Sequence, residues 1–374
     1  IAGLELPAAQ QEDAGTLVGW TSSASSQIIR RIGDAHLQVP EGFTLHPKIA
    51  QLFERRAKMS HDGNIDWGFG ELLAFGSLLI EGLPVRMSGQ DVRRGTFVQR
   101  HATVHDHDTG AEWTPLRALT EDQAKFWIYD SSLSEFSVMA FEYGYSVERP
   151  DALVVWEAQF GDFANGAQTV IDEFVSSAEQ KWSQRSSLVL MLPHGFEGQG
   201  PDHSSARIER YLQLCAQRNM WVCQPSTPAN HFHMLRTQAY YRPRTPLVVF
   251  TPKQLLRRRA AVSAIEDFTT GAFQPIIDEV DSTMENVNRV LLCSGRIYYD
   301  LLEQRIRSGD STTAIVRIEQ LYPDPVEELS SVLENYPGAE VYWVQDEPEN
   351  QGPWPHFALN LFRRVGISPT LISR

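Results

Sequence analysis

The 374-residue chain has room for two or three domains of ~100–200 residues each, and a composition of 42% hydrophobic and 21% charged residues describes an ordinary folded globular protein. Its net charge of −14 excludes the broad basic face that non-specific nucleic-acid or anionic-membrane binding requires. Three cysteines, Cys215, Cys223 and Cys293, lack C-x-x-C spacing; they support neither a disulfide framework nor a zinc site and fit a reducing, cytoplasmic setting.

Residues 1–60 carry no strong strand signal and read as a helical connecting region with a proline-marked turn at VPEGF. The sequence starts at Ile1 without an initiator Met, which predicts a portion of something longer. The longest apolar stretch, GELLAFGSLLIEGLPV, is interrupted by Glu71 and Glu81 and falls short of the ~20 residues a membrane span needs. With Trp67, Leu72, Phe75 and Leu79 at helical spacing, it predicts a buried helix.

From there the apolar runs alternate in kind. PVRMSG, KFWIYD, ALVVWEA, SLVLMLP, WVCQPS and PLVVFTP have strand character. Helix-length segments such as LSEFSVMAFEYGYS, ANGAQTVIDEFVSSAEQKW, SSARIERYLQLCAQ and ANHFHMLRTQAYY separate most of them. The basic run LLRRRAA reads as a solvated helix face, and a connecting segment over 256–285 precedes a second alternation of RVLLCSG, TAIVRIEQL and EVYWVQDE with helices. The pattern predicts an α/β protein of two units in series, over 61–255 and 286–374, each with a mainly parallel sheet covered by helices.

Ligands of parallel α/β sheets sit beyond the carboxyl ends of the strands, where several unusual segments fall. In LPHGFEGQGPDHSSAR, Gly195, Gly198 and Gly200 make a permissive loop, and Pro201, Asp202 and Ser204 suit a turn that opens a helix. That would set His203 near a helix N-terminus, where an anion is favoured. Adjacent Asp202, His203 and Ser204 lack a G-x-S-x-G elbow and do not read as a hydrolase relay. Glu135 opens an apolar helix beside Phe136 and Met139, surroundings that raise a carboxyl pKa, although a first-turn Glu also serves the helix dipole. Phe160 and Phe163 flank a strand-to-helix turn in WEAQFGDFANG, placed either to hold a flat heterocycle or to pack a core. The pairs His105/His107 and His231/His233 resemble metal ligands but have no further partners in the sequence.

Together, GQDVRRGTFVQRHA, SLSEFSVMAFEYGYS, WEAQFGDFANGAQTVIDEFVSSAEQKW, LPHGFEGQGPDHSSARIERYLQLC, PSTPANHFHMLR, PLVVFTPK and VQDEPENQGPW closely resemble the thiamine-diphosphate-dependent 2-oxoglutarate dehydrogenase component, in the style of its actinobacterial members. The resemblance runs from about residue 40 to the end of the chain, in the family's order. It implies a transketolase-like fold, with a pyrimidine-binding domain followed by a transketolase-type C-terminal domain. It also implies that Glu135 contacts N1′ of the cofactor's aminopyrimidine, that Phe160 and Phe163 line the pyrimidine pocket, and that Gln90 lies near the cofactor. By the same resemblance His203 contacts substrate, and His194 of the same loop is a further contributor.

The activity implied is decarboxylation of 2-oxoglutarate in the tricarboxylic acid cycle, with transfer of the succinyl group to a lipoyl-bearing acyltransferase. A 2-oxoadipate dehydrogenase, a 2-oxoglutarate decarboxylase or a non-catalytic regulatory protein on the same fold are the alternatives. The family's G-D-G motif with its following Asn, which holds the diphosphate through Mg²⁺, is not found in this sequence; HDGNIDW only superficially resembles it. The expectation is therefore a C-terminal portion that completes its site with a matching N-terminal diphosphate-binding domain, in a homodimer. An acyl-CoA effector held by Arg242, Arg244, Arg257, Arg258 and Arg259 is a further partner the resemblance implies.

Overall fold

The computed structural model describes residues 21–374 except 242, 282, 283 and 285. It opens with α1 (Ser26–Ala35), α2 (Pro47–Asp62) and α3 (Trp67–Ile80). Ser25 caps α1 by accepting from the Ile28 N–H, and Asp66 caps α3 by accepting from Phe69 N–H at 2.9 Å. Every residue of α3 from Trp67 to Leu79 is buried, and each fully buried Leu or Phe contributes ~1.5–3 kcal/mol. The described part of the predicted connecting region, from residue 21, packs onto this helix, with Ile29 and Ile32 in the same core as Phe69, Leu72 and Phe75. A Cβ on Gly76 would lie 2.8 Å from Ile32 and Leu116 side-chain atoms, so the bare glycine admits α1 to α3.

The strands follow as β1 (Val85–Gly89), a hairpin of β2 (Val104–His105) and β3 (Glu112–Trp113), β4 (Phe126–Asp130), β5 (Leu153–Glu157), β6 (Val189–Pro193), β7 (Trp221–Cys223) and β8 (Leu247–Thr251). The second series is β9 (Ile276–Ile277), β10 (Arg289–Cys293), β11 (Thr313–Ile318), β12 (Gln320–Tyr322), β13 (Glu340–Val344) and β14 (Thr370–Ile372). Six strands of the first sheet, in the order β7-β8-β6-β5-β1-β4, are parallel. Strands β5, β6 and β8 are buried along their whole length, as expected of a sheet covered on both faces. The second sheet, β14-β13-β10-β11-β9, is parallel except for β9.

This is the mainly parallel, helix-covered α/β architecture the sequence predicts. The two units also share a sheet: β12 runs antiparallel to β7, with Gln320 opposite Cys223, and so extends the first sheet from the second unit. All three cysteines are free thiols, and among the described residues no helix is long and apolar enough to cross a membrane.

Three predicted helices are corrected. ANGAQTVIDEFVSSAEQKW is not one regular helix: a single α turn, Gln168–Val170, widens into a π-helix over Ile171–Val175, and a separate final helix spans Ala178–Trp182. There the Ser176 and Ser177 hydroxyls donate to the Asp172 carbonyl and compete with the helical ladder. SSARIERYLQLCAQ is helical only over Ile208–Gln213, because Arg207 takes a left-handed φ of 61°. LLRRRAA is a turn in which Arg257 donates to the Phe97 carbonyl while Arg258 pairs with Asp300 and Glu303.

Candidate active site

Strand β1 lies between β4 and β5, so the chain leaves β1 for one side and returns to the other. The crevice beyond the carboxyl ends at such a reversal is where doubly wound sheets bind ligands. Gln90 follows β1, Glu135 opens α4 (Glu135–Glu148) after β4, and Phe160 and Phe163 follow β5. The loop carrying His194 and His203 follows β6, and Lys253 follows β8.

Ser134 caps α4 and fixes where Glu135 starts. Gln90 Nε2 donates to Glu135 Oε1 at 3.0 Å, joining two of the sequence-predicted residues. Gly166 leaves open space beside the other carboxylate oxygen, since a Cβ there would come within 3.5 Å of Glu135 Oε2. The apolar enclosure expected of Glu135 is only half present. Met139 is fully buried, but Glu135 is half-buried and Phe136 is 49% exposed. Leu133 and Phe141 are exposed as well, by 83% and 60%.

Phe160 and His203 meet edge to face with centroids 4.2 Å apart, Phe163 stands 5.9 Å from the same imidazole, and Phe97 closes on Phe160 at 5.4 Å. Phe97, Phe160, Phe163 and His203 are all partly exposed, so the cluster lines a surface that faces open space. His203 does not stand at a helix N-terminus as the sequence implied. Pro201–His203 is a separate turn, Asp202 is exposed, and the helix begins only at Ile208 without a side-chain cap.

Side chains that the sequence reading passed over do the holding. Asp162, buried between the two phenylalanines, accepts from Ser204 N–H at 3.1 Å and Ser205 N–H at 3.0 Å. A Cβ on Gly161 would sit 2.4 Å from that of Ala206, so only glycine lets the two segments touch. Lys253 Nζ donates to the Gly195 carbonyl at 2.9 Å and to the His203 carbonyl, closing the two ends of the glycine loop. Burial lowers the Lys253 pKa, and burial likewise raises that of Glu197, which accepts from Gln254 N–H at 3.2 Å. His194 is 5% exposed and does not face the phenylalanine cluster through a free nitrogen: Nε2 lies 2.6 Å from Glu347 Oε1 and Nδ1 accepts from Ala206 N–H at 3.1 Å.

Beneath the crevice lies a buried charge network centred on Arg100 of GTFVQRHA. Its guanidinium donates to Glu71 at 2.6 Å, to both oxygens of Glu157 at 2.7 and 2.8 Å, and to the Val92 carbonyl at 2.9 Å. Burial would raise the Glu71 carboxyl, yet Arg100 and His231 hold it at about 2. For Glu157 burial prevails, and its pKa is raised. A Cβ on Gly68 would come within 2.4 Å of the Gln99 carbonyl, which shows how closely α3 carries this loop.

His231 and His233 have structural partners. His231 lies 3.3 Å from Glu71, and His233 bonds Ser22 and the Asp267 carbonyl. His105 and His107 flank Asp106, whose carboxylate accepts from Thr44, Asp108 and Thr109 N–H groups as a turn-forming side chain.

The loops after the sheet reversal thus carry a carboxylate with its amide partner, Glu135 and Gln90, and an aromatic and imidazole cluster of Phe97, Phe160, Phe163 and His203. Residues 63–259, more than half of the chain, match the transketolase pyrimidine-binding domain model. The chain belongs to that family, whose domain indicates thiamine diphosphate dependence. Residues 262–368 match the 2-oxoglutarate dehydrogenase C-terminal model. A Mycobacterium sp. (strain JLS) protein named multifunctional 2-oxoglutarate metabolism enzyme is 53% identical over 352 residues, covering 91% of this chain and 28% of the relative. One of the same name from Mycolicibacterium vanbaalenii is 50% identical over 363 residues, covering 94% of this chain and 29% of the relative. The chain thus spans under a third of the length of these relatives.

Proposed function

We propose that this chain supplies the pyrimidine half of the active site of an enzyme that decarboxylates 2-oxoglutarate and passes the succinyl group to a lipoyl-bearing acyltransferase. The observation that carries the reading is Glu135, hydrogen-bonded by Gln90 at the sheet reversal, with Phe160, Phe163 and His203 clustered on the loops after β5 and β6. When bound, thiamine diphosphate supplies the electron sink for the carbon that loses carbon dioxide. Glu135 holds a proton against the pyrimidine ring nitrogen, with Gln90 fixing the orientation of its carboxylate. Phe160 and Phe163 bound the flat ring, and His203 donates to or accepts from the 2-oxo acid beside it.

Among the described residues no group of three or more His, Cys, Asp or Glu side chains is arranged to hold a metal. We assign Mg²⁺ and the diphosphate, as the family resemblance implies, to a separate domain, from a partner protomer of a homodimer or a matching N-terminal domain. The exposed side chains of Leu133 and Phe136, two positions before Glu135 and one after it, support such a neighbour, whose arrival would complete the enclosure of the carboxylate.

The test is 2-oxoglutarate-dependent ferricyanide reduction with Mg²⁺ and thiamine diphosphate, on this chain alone and with the diphosphate-binding domain supplied. Activity is expected only in the second case, and Glu135→Ala should lower it by ~10²-fold or more. Full activity in the Glu135→Ala enzyme would refute the assignment.

A further inference from the structure

We infer that Glu347, contributed by the second unit, is a positioning residue that acts through His194 on the segment carrying His203. The inference deepens the proposed function and, for its effect on turnover, rests on that reading.

The argument begins with a proton. His194 Nδ1 accepts from the Ala206 N–H at 3.1 Å, so this nitrogen carries no hydrogen. The hydrogen of the neutral ring therefore sits on Nε2, 2.6 Å from the Glu347 carboxylate, which accepts it. Both residues are 5% exposed, so no bulk water stands in for either partner. A carboxylate opposite one ring nitrogen selects the tautomer that leaves the other free to accept, the relation seen where carboxylates orient metal-bound histidines.

The acceptor matters because of where Ala206 lies. The N–H groups of Ser204, Ser205 and Ala206 are taken in succession by Asp162, Asp162 and His194. Side chains from two different loops thus hold the backbone that follows His203 out of a helix, and the His203 ring remains against Phe160. In the opposite tautomer, Nδ1–H would face the Ala206 N–H, donor against donor, and this third tie would become a repulsion.

Glu347 is itself braced. Its carbonyl accepts from Gln345 Nε2 at 3.2 Å, and Gly352, with φ of 67°, lets the chain turn around its side chain, where a Cβ would come within 3.0 Å of Cγ. The same segment makes a second tie, as Gly352 N–H donates to Glu209 at 2.9 Å in the helix that follows the loop. The second unit thereby reaches the loop of His203 through Glu347 and Gly352.

Two measurements test this. In the 374-residue chain with ¹⁵N-labelled histidine, His194 should show an unprotonated Nδ1 and a protonated Nε2; Glu347→Ala should mix the tautomers and Glu347→Gln, which keeps an acceptor, should preserve the native one. In the assembled enzyme, Glu347→Ala should lower kcat by about 10-fold with KM within about twofold, the pattern of misplacing a group without removing binding. Glu347→Gln should recover most of that loss. Glu347→Met, of similar volume but without an acceptor, repeats the test if the Ala variant folds poorly.

An unchanged tautomer in the Ala and Met variants would overturn the inference whatever the activity. Unchanged kcat in those variants, with turnover lost in His203→Ala, would overturn the inference and leave the functional reading standing. Full turnover in His203→Ala as well would overturn both.

Discussion

Replacing Arg100 with Met removes the one cation shared by Glu71 and Glu157, both at or below 5% exposure. Taking one partner from a buried ion pair costs about 3–5 kcal/mol, because the charge left behind is neither solvated nor paired. The Val92 carbonyl loses its donor as well, adding about 1 kcal/mol. Against a typical domain stability of about 5–15 kcal/mol, that loss is severe. Relief should come from removing the orphaned charges, so Arg100→Met with Glu71→Gln and Glu157→Gln should regain at least half of it.

The pH dependence gives a second handle on the same residue. Without Arg100, burial raises both folded-state carboxyl pKa values above those of the unfolded chain, so the folded state binds more protons. The stability of the single variant must then fall as pH rises from 5.5 to 7.5. Urea unfolding followed by circular dichroism at the two pH values reads both effects. A cost under about 1 kcal/mol with no pH dependence would refute the claim that this network is charged and unsolvated.

Two further outcomes follow from buried groups. Lys253→Met should speed amide exchange across residues 195–205, because it unties both ends of the loop; Lys253→Arg should not restore protection, since a planar fork does not reproduce the two bonds. An unchanged exchange pattern would show that the loop holds itself. His36 is buried between Phe53 and Phe69 beside Arg56, and burial, aided by Arg56, lowers its pKa to about 3. Its unfolded counterpart takes up a proton near pH 6.5, so stability is full above that value and falls as pH drops toward 3, by about 1.4 kcal/mol per unit. His36→Gln should remove about one proton from the pH slope of urea unfolding between pH 5 and 6.5, and equal slopes would contradict the assignment.

The nine strands expected from apolar runs lie where their composition places them, since runs such as LVVWE and VLMLP satisfy a sheet buried on both faces. Strands β2, β3, β9, β12 and β14 escaped notice because runs of two or three residues have no periodicity to display. The chemistry-bearing types, Glu135, Gln90, Phe160, Phe163 and His203, were visible as residues in loops after strands, and the structure joins Gln90 to Glu135 and sets Phe160 and Phe163 against His203. What the sequence could not show is who holds whom. Asp162 sits inside the quoted segment WEAQFGDFANG, but its work is to accept two N–H groups some forty residues away. The expected helix start at His203 failed for the same reason, as those N–H groups already had a carboxylate. Glu347 pairs with His194 across 153 positions, a separation that no local pattern encodes.

The strand that the second unit lends to the first sheet changes what counts as a separable piece. A cut in the linking segment near residue 260, where one family match ends and the next begins, would strip β12 from β7 and leave the main-chain groups of Val222 and Cys223 without their neighbours. A freshly exposed parallel-sheet edge is a template for self-association. The 1–260 fragment should therefore aggregate, and heating the intact chain should melt both units in a single calorimetric transition. Evolutionary modules and folding units need not share a boundary, and here the join between modules is also a seam through which the chain must fold as one.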